Sequence, residues 1–313
     1  KPLYSVQDKK GEVALCTLSA VNLGAIDSLD ELEDITDIIV RSLDSLLDYQ
    51  DYPLKSAEIT SNNRRTLGIG VTNLAYYLAK NDAKYSDGSG NDLIHRTFEA
   101  LQYFSLKASN EIAQEFGPCP LFSETQYAKG VMPIDSYKKD IDQFCNTELE
   151  LDWDSLRKNI QATGLRNSTL TALMPCESSS QISNSTNGIE PPRGFISVKQ
   201  SKDGILKQVV PEYEKLHKKY ELLWDIKDNE GYLQLCAIMQ KFVDQSISTN
   251  THYDPSQYDG NRVPMKLFLM DLLKAYKYGI KTLYYHTTRD GASDGQNTTA
   301  KGDDDCEDGV CKL

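Results

Sequence analysis

Between residues 29 and 49, apolar side chains fall at Leu32, Ile35, Ile39, Leu43, Leu46 and Leu47, three and four apart, with acids gathered at the front of the segment. That spacing predicts an amphipathic helix whose acids sit at the positive end of its dipole. Helical spacing recurs over residues 92–116, less clearly over 153–162, then over 211–225, 231–248 and 264–278. Short apolar runs rich in β-branched residues lie between these stretches. EVALCTLSAVNLGAI, residues 12–26, predicts a buried strand with Cys16 in its middle and an exit turn from Asn22 to Gly24. RRTLGIGVTNLAYYLAK, residues 64–80, predicts a short strand running into a helix, Gly68 and Gly70 being too few for a dinucleotide fingerprint. LRNSTLTALMP, 165–175, predicts a third strand closed by Pro175. Residues 246–254 and 280–286 predict two more. About five strands alternating with long helices, and no internal repeat, predict an α/β fold with a parallel sheet.

The pattern stops after Arg289. DGASDGQNTTAKGDDDCEDGVCKL has no large apolar residue before Val310, so the expected organisation is a folded part over residues 1–289 and a disordered tail over 290–313. The 313 residues are 39% hydrophobic, enough for a core, and carry a net charge of −12. Such an acidic balance argues against broad attraction to nucleic acid or an anionic membrane, so an anionic substrate needs a locally built site. No apolar run reaches the length of a membrane span, and KPLYSVQDKKGE lacks a signal-peptide core; the expectation is a cytoplasmic protein, in the host cytoplasm if phage-encoded. Seven scattered Cys, an odd number, point to redox chemistry rather than a disulfide framework. The Asn-x-Ser/Thr triplets at Asn167, Asn184 and Asn297 carry no weight without a secretory signal.

Four features could carry chemistry. In the tail, Cys306 and Cys311 are separated by Glu-Asp-Gly-Val. They could be two stray thiols, or zinc ligands lacking a third partner, or a pair for thiol–disulfide exchange. Acidic neighbours would raise rather than lower their pKa. The 21 residues from Tyr285 to Cys306 would span on the order of 25 Å as a coil and at most about 70 Å extended, enough to swing between an interior site and an outside partner. The obvious interior counterpart is Cys16, which alone is as easily a buried small hydrophobe. Tyr284 and Tyr285 are ordinarily one core and one surface residue; one-electron transfer through them needs the rings close together, hence an irregular backbone. After Pro175, Glu177 and Ser178 to Ser180 fall where a strand gives way to a helix. Hydroxyls and free N–H groups there suit phosphate oxygens, though a plain Ser-rich turn has the same pattern.

These pieces resemble, in order and spacing, the carboxy-terminal part of the large catalytic subunit of class I ribonucleotide reductases, of the bacterial and phage type. The blocks are ALCTLSAVNLGAI, RRTLGIGVTNLAYYLA, WDSLRKNIQATGLRNSTLTALMP, SSQISNSTNGIEPPRG, KTLYYHTTRDG and the Cys-x4-Cys terminus. The resemblance implies that Cys16 is one of two active-site thiols oxidised as the ribose 2′-hydroxyl is removed, its partner lying outside this chain. By the same resemblance Tyr284 and Tyr285 match a stacked dyad relaying a radical from a metal-containing small (beta) subunit. Cys306 and Cys311 match the dithiol that re-reduces the site, with electrons from thioredoxin or glutaredoxin. Pro175, Cys176, Glu177, Ser178 and Ser179 match the loop that holds the substrate diphosphate; Cys176 stands where relatives have Ser, which keeps backbone donation and replaces the hydroxyl.

The family's Asn-x-Cys-x-Glu finger, with its thiyl-radical Cys, would lie before Lys1, and its nucleotide-effector regions further upstream. This chain itself is expected to bind no metal and no cofactor. The implied fold is the second five-stranded half of a ten-stranded α/β barrel. Such a half exposes strand edges and an apolar face, so it should be insoluble or poorly folded without the amino-terminal part of the large subunit. A fragment of a longer subunit and one product of a divided gene both fit. The expected activity is reduction of ribonucleoside diphosphates, only in complex. The rival is a noncatalytic remnant or scaffold that docks to the small subunit.

Overall fold

The computed structural model describes residues 11–201 and 204–289. In chain order the elements are β1 (Leu18–Asn22), α1 (Glu31–Tyr49), α2 (Lys55–Arg64), β2 (Gly68–Thr72), α3 (Leu74–Lys80), α4 (Asn91–Phe116), α5 (Pro133–Ser136), α6 (Trp153–Thr163) and α7 (Glu177–Ile182). Then follow β3 (Ile196–Ser201), β4 (Gly204–Val209), α8 (Tyr213–Leu216), α9 (Glu230–Gln240), β5 (Thr249–Tyr253), α10 (Met265–Tyr278) and β6 (Leu283–Thr288).

A row of five parallel segments organises the chain. β1 pairs with β2 from Leu18↔Gly68 to Asn22↔Thr72, and β5 pairs with β6. Between them residues 169–173 serve as the third segment, joined by the parallel bridges Ile69↔Thr171 and Leu173↔Ile247. Side-chain oxygens interrupt this segment's ladder: the Asp244 carboxylate accepts the N–H groups of Leu170 and Thr171 at 2.9 and 3.0 Å. Parallel strands in sequence order with helical crossovers are what the alternating pattern implied. Among the described residues the row does not close into a barrel. Gly70 permits close packing in the row, since a Cβ there would lie 2.7 Å from the Ala172 carbonyl oxygen.

The helices cover the row around α4, which packs against α1, α6 and α9. Ile94, Phe98, Leu101, Leu106 and Ile112 of α4 join Leu32, Val40 and Leu47 of α1 and Leu235 and Ile238 of α9 in one core. Arg65, in left-handed backbone just after α2, ties α1 to this core through Asp44 at 2.6 Å and Asp48 at 2.8 Å. These long helices follow the apolar periodicity closely.

Several expectations need correction. The predicted strand over 12–26 shrinks to β1, and Cys16 lies exposed two residues before it rather than buried in its middle. The reason is β2, which begins only at Gly68 because the end of α2 and the Arg65 ion pairs occupy the chain just upstream. The helix expected over 211–225 is one turn, α8, which starts only after the left-handed backbone of Glu212, plus a 3-10 turn at Leu223–Asp225. α9 stops at Gln240, freeing Asp244 and Gln245 to bond the third segment. The antiparallel hairpin of β3 and β4 and the polar helix α2 were not foreseen.

Candidate functional site

The last strand carries the most unusual geometry. Thr249 faces Leu283 and Thr251 faces His286, so the single residue Asn250 stands opposite both Tyr284 and Tyr285. One residue against two is a β-bulge, which cancels the usual alternation and lets neighbouring side chains share a side. The two ring centroids are 4.0 Å apart at 45°, and the Tyr284 hydroxyl donates to the Tyr285 hydroxyl at 3.0 Å. At 49% and 58% exposed, the rings are not the core-and-surface pair of a regular strand. The irregular backbone that one-electron transfer requires is therefore present. The bond to Tyr285, then that phenol's charge, then burial and the Glu177 carboxylate hold the Tyr284 phenol above its ordinary pKa.

Asn250 of β5 and Glu190, in the loop after α7, meet at the backbone of the pair. Asn250 accepts the Tyr285 backbone N–H at 2.9 Å and donates to the Glu190 carboxylate. Burial raises the Glu190 pKa, Asn250 and Arg193 oppose that rise, and Glu177 adds to it. Past the bulge, Thr251 Oγ1 lies 2.6 Å from His286 Nδ1, and Phe268 of α10 packs edge-on to that imidazole at 4.5 Å. The sequence reading missed Asn250 and Glu190. The only available signal was the tyrosine pair itself, whose stacking demands a partner for a displaced backbone N–H.

The polar loop after Pro175 does run into a helix, α7, as predicted. Glu177, Ser178 and Ser179 are exposed on its first turn, where N–H groups precede the first intrahelical acceptor. Cys176, 3% exposed, is turned inward: its N–H donates to Asn187 Oδ1 at 2.8 Å, and its thiol faces the carbonyls of Val71 and Met174. Both of its polar groups are thus engaged inside the fold, against the expectation that its backbone is free for phosphate. Asn73 fixes the loop's far end to β2 by accepting the Thr186 N–H at 3.0 Å, while its own N–H donates to the Thr186 carbonyl at 2.9 Å.

Cys16 lies two residues before the first segment of the row, and the tyrosines lie on the last. Four strand spacings, about 19 Å along a flat sheet, separate those segments. Cys306 and Cys311 lie outside the described residues. Among the described residues no three His, Cys, Asp or Glu side chains gather as a metal site, and no helix is long and apolar enough to cross a membrane.

The described residues form a parallel α/β row whose last strand carries two hydrogen-bonded phenols. The chain belongs to the ribonucleotide reductase barrel-domain family, whose model matches residues 4–286. It is 65% identical over 313 residues to the ribonucleoside-diphosphate reductase subunit alpha of Haemophilus influenzae, which covers 100% of this chain and 41% of that protein. The subunit of the same name from Buchnera aphidicola (Acyrthosiphon pisum) is 62% identical over 315 residues, again 100% of this chain and 41% of that protein. Ribonucleoside-diphosphate reductase 1 subunit alpha of Escherichia coli is 63% identical over 269 residues, 85% of this chain and 35% of that protein. The chain thus spans about two-fifths of the length of the first two relatives, at 41%.

Proposed function

We propose that this chain is the carboxy-terminal portion of a catalytic subunit that reduces ribonucleoside diphosphates to deoxyribonucleoside diphosphates by radical chemistry. It would supply the second half of a ten-stranded barrel. The amino-terminal portion would supply the first half, the radical cysteine and the nucleotide-effector sites, and the metal-containing small subunit would generate the radical. The observation that carries the reading is the tyrosine pair, two phenols 3.0 Å apart on a bulge. An electron and a proton leaving one O–H together can be replaced from the other across that bond, so the oxidised site moves with no net charge. Both tyrosines are about half exposed, which leaves them accessible to a docked oxidant.

Removing the 2′-hydroxyl as water consumes two electrons and two protons. By family resemblance these come from the Cys16 thiol and a partner thiol outside this chain, which join as a disulfide. Cys306 and Cys311 would reduce that disulfide by exchange and be reduced in turn by thioredoxin or glutaredoxin. Ser178 and Ser179, with Glu177 beside them and Pro175 at the turn, would hold the diphosphate at the start of α7. The inward-turned Cys176 would shape that turn rather than touch the phosphate.

The test is dithiol-dependent deoxynucleotide formation by this chain, its amino-terminal complement and a radical-loaded small subunit. Turnover in the mixture, lost with Cys16→Ser and with Tyr284→Phe, is expected. A stable assembly that forms no deoxynucleotide would replace this reading by the noncatalytic scaffold.

A further inference from the structure

We infer that Asn250, clamped by Glu190, is the positioning residue that holds the tyrosine bulge open. The inference rests on reading Tyr284 and Tyr285 as a radical relay. A bulge displaces one backbone N–H from the ladder, and here it is that of Tyr285. Asn250 is the residue opposite, and its Oδ1 takes that N–H at 2.9 Å. Were the N–H left unpaired, the strand could regain it by slipping into regular register, which would send the two rings to opposite faces.

An amide can turn over, so its orientation must itself be fixed. Glu190 does this. Its carboxylate accepts from Asn250 Nδ2, and a reversed amide would set donor against donor at Tyr285 and acceptor against acceptor at Glu190. Glu190 is held in turn by its loop, since the Gly188 carbonyl accepts from Leu74 N–H at 3.2 Å and Asn187 is bonded to Cys176. Asn250 is 8% exposed, so water competes little for these bonds. Neither residue touches the phenol oxygens.

The test places 3-fluorotyrosine at position 284 or 285 in the chain assembled with its amino-terminal complement, and reads both ¹⁹F spectra and turnover with the small subunit. Asn250→Ala should move both ¹⁹F resonances and lower kcat about tenfold, the size of one lost hydrogen bond, with KM unchanged. Asn250→Asp keeps the acceptor for Tyr285 but sets a carboxylate against Glu190, with Glu177 adding to the repulsion and Arg193 relieving it. It should be impaired at neutral pH and recover on acidification, as one proton comes to be shared.

Adding Glu190→Gln to Asn250→Asp reverses the polarity of the clamp and restores both bonds. This double variant should regain the parent spectra and turnover to within about threefold at neutral pH. Unchanged spectra and kcat in Asn250→Ala, or a double variant no better than Asn250→Asp alone, would overturn the inference. If Asn250→Ala fails to assemble, the double variant and the pH profile decide. Full turnover with Tyr284→Phe would sink the relay reading instead, and the ¹⁹F spectra would still decide whether Asn250 holds the rings.

Discussion

Acidification should leave His95 uncharged well below the pH at which an ordinary histidine takes up its proton. The side chain is 1% exposed, its Nε2 lies 2.9 Å from Lys241 Nζ, and its ring packs edge-on to Phe242 at 4.9 Å. Burial first and the Lys241 charge second lower its pKa from 6.5 to about 4, while Asp92 and Asp142 pull the other way. Lys241 is itself buried over the Tyr137 ring at 4.7 Å, with Asp142 at 3.6 Å, and burial lowers its pKa too. Moving the midpoint from 6.5 to about 4 corresponds to roughly 3 kcal/mol favouring the neutral ring. A depressed histidine pKa means that below pH 6.5 the unfolded chain binds a proton the folded chain refuses. Stability is then full above 6.5 and falls, by up to roughly 3 kcal/mol from this residue, as the pH drops toward 4. Histidine-selective NMR on the assembled subunit with only this chain isotope-labelled reads this directly, because the chain has four His and His95→Gln assigns the signal. Lys241→Met should raise the midpoint yet leave it below 6.5, since burial is the larger cause. A His95 midpoint near 6.5 in the parent, or full return to 6.5 in Lys241→Met, would refute the argument.

Asp244→Ala removes the acceptor for the Leu170 and Thr171 N–H groups and for the Tyr127 hydroxyl, which donates to Asp244 at 2.9 Å. With three donors orphaned at about 1–3 kcal/mol each, denaturation of the assembled subunit should show a loss of several kcal/mol, and a loss under about 1 would contradict the pinning role. Gly70→Ala forces a methyl to within 2.7 Å of the Ala172 carbonyl and 2.8 Å of Met174 Sδ. It should cost about 1–3 kcal/mol and raise the KM for substrate by disturbing the turn into α7, measured by denaturation and steady-state kinetics. Cys306→Ser should abolish turnover driven by thioredoxin but leave turnover driven by a small dithiol, which can reach the active-site disulfide directly; equal activity with both reductants would remove the tail from the pathway.

The helices with a clear apolar stripe, α1 and α4, were readable because the side chains they add to the core are spaced regularly along each helix. The third segment was legible as a strand, yet its ladder is broken by Asp244, 73 residues beyond Thr171, which no local pattern reveals. The hairpin had a sequence signal that went unused: runs rich in β-formers stand on either side of the dipeptide Asp203-Gly204. α2 has few apolar residues, and its place is set by Arg65 and its acidic partners. At the site, the need for an irregular backbone at Tyr284 and Tyr285 followed from strand geometry alone. The residue answering that need did not, because Asn250 and Glu190 come together only through folding. Cys176 looked available for phosphate in the sequence, and only the Asn187 contact shows it turned inward.

The central claim is that Tyr284 and Tyr285 carry the oxidising equivalent, and its most direct measurement is paramagnetic resonance on a subunit with an easily oxidised tyrosine analogue at position 284 or 285. Mixed with radical-loaded small subunit, substrate and the amino-terminal complement, either labelled chain should yield a new tyrosyl-type signal as the small-subunit radical is lost in equal amount. An assembled complex in which the small-subunit radical persists, and no signal arises at either position, would contradict the account.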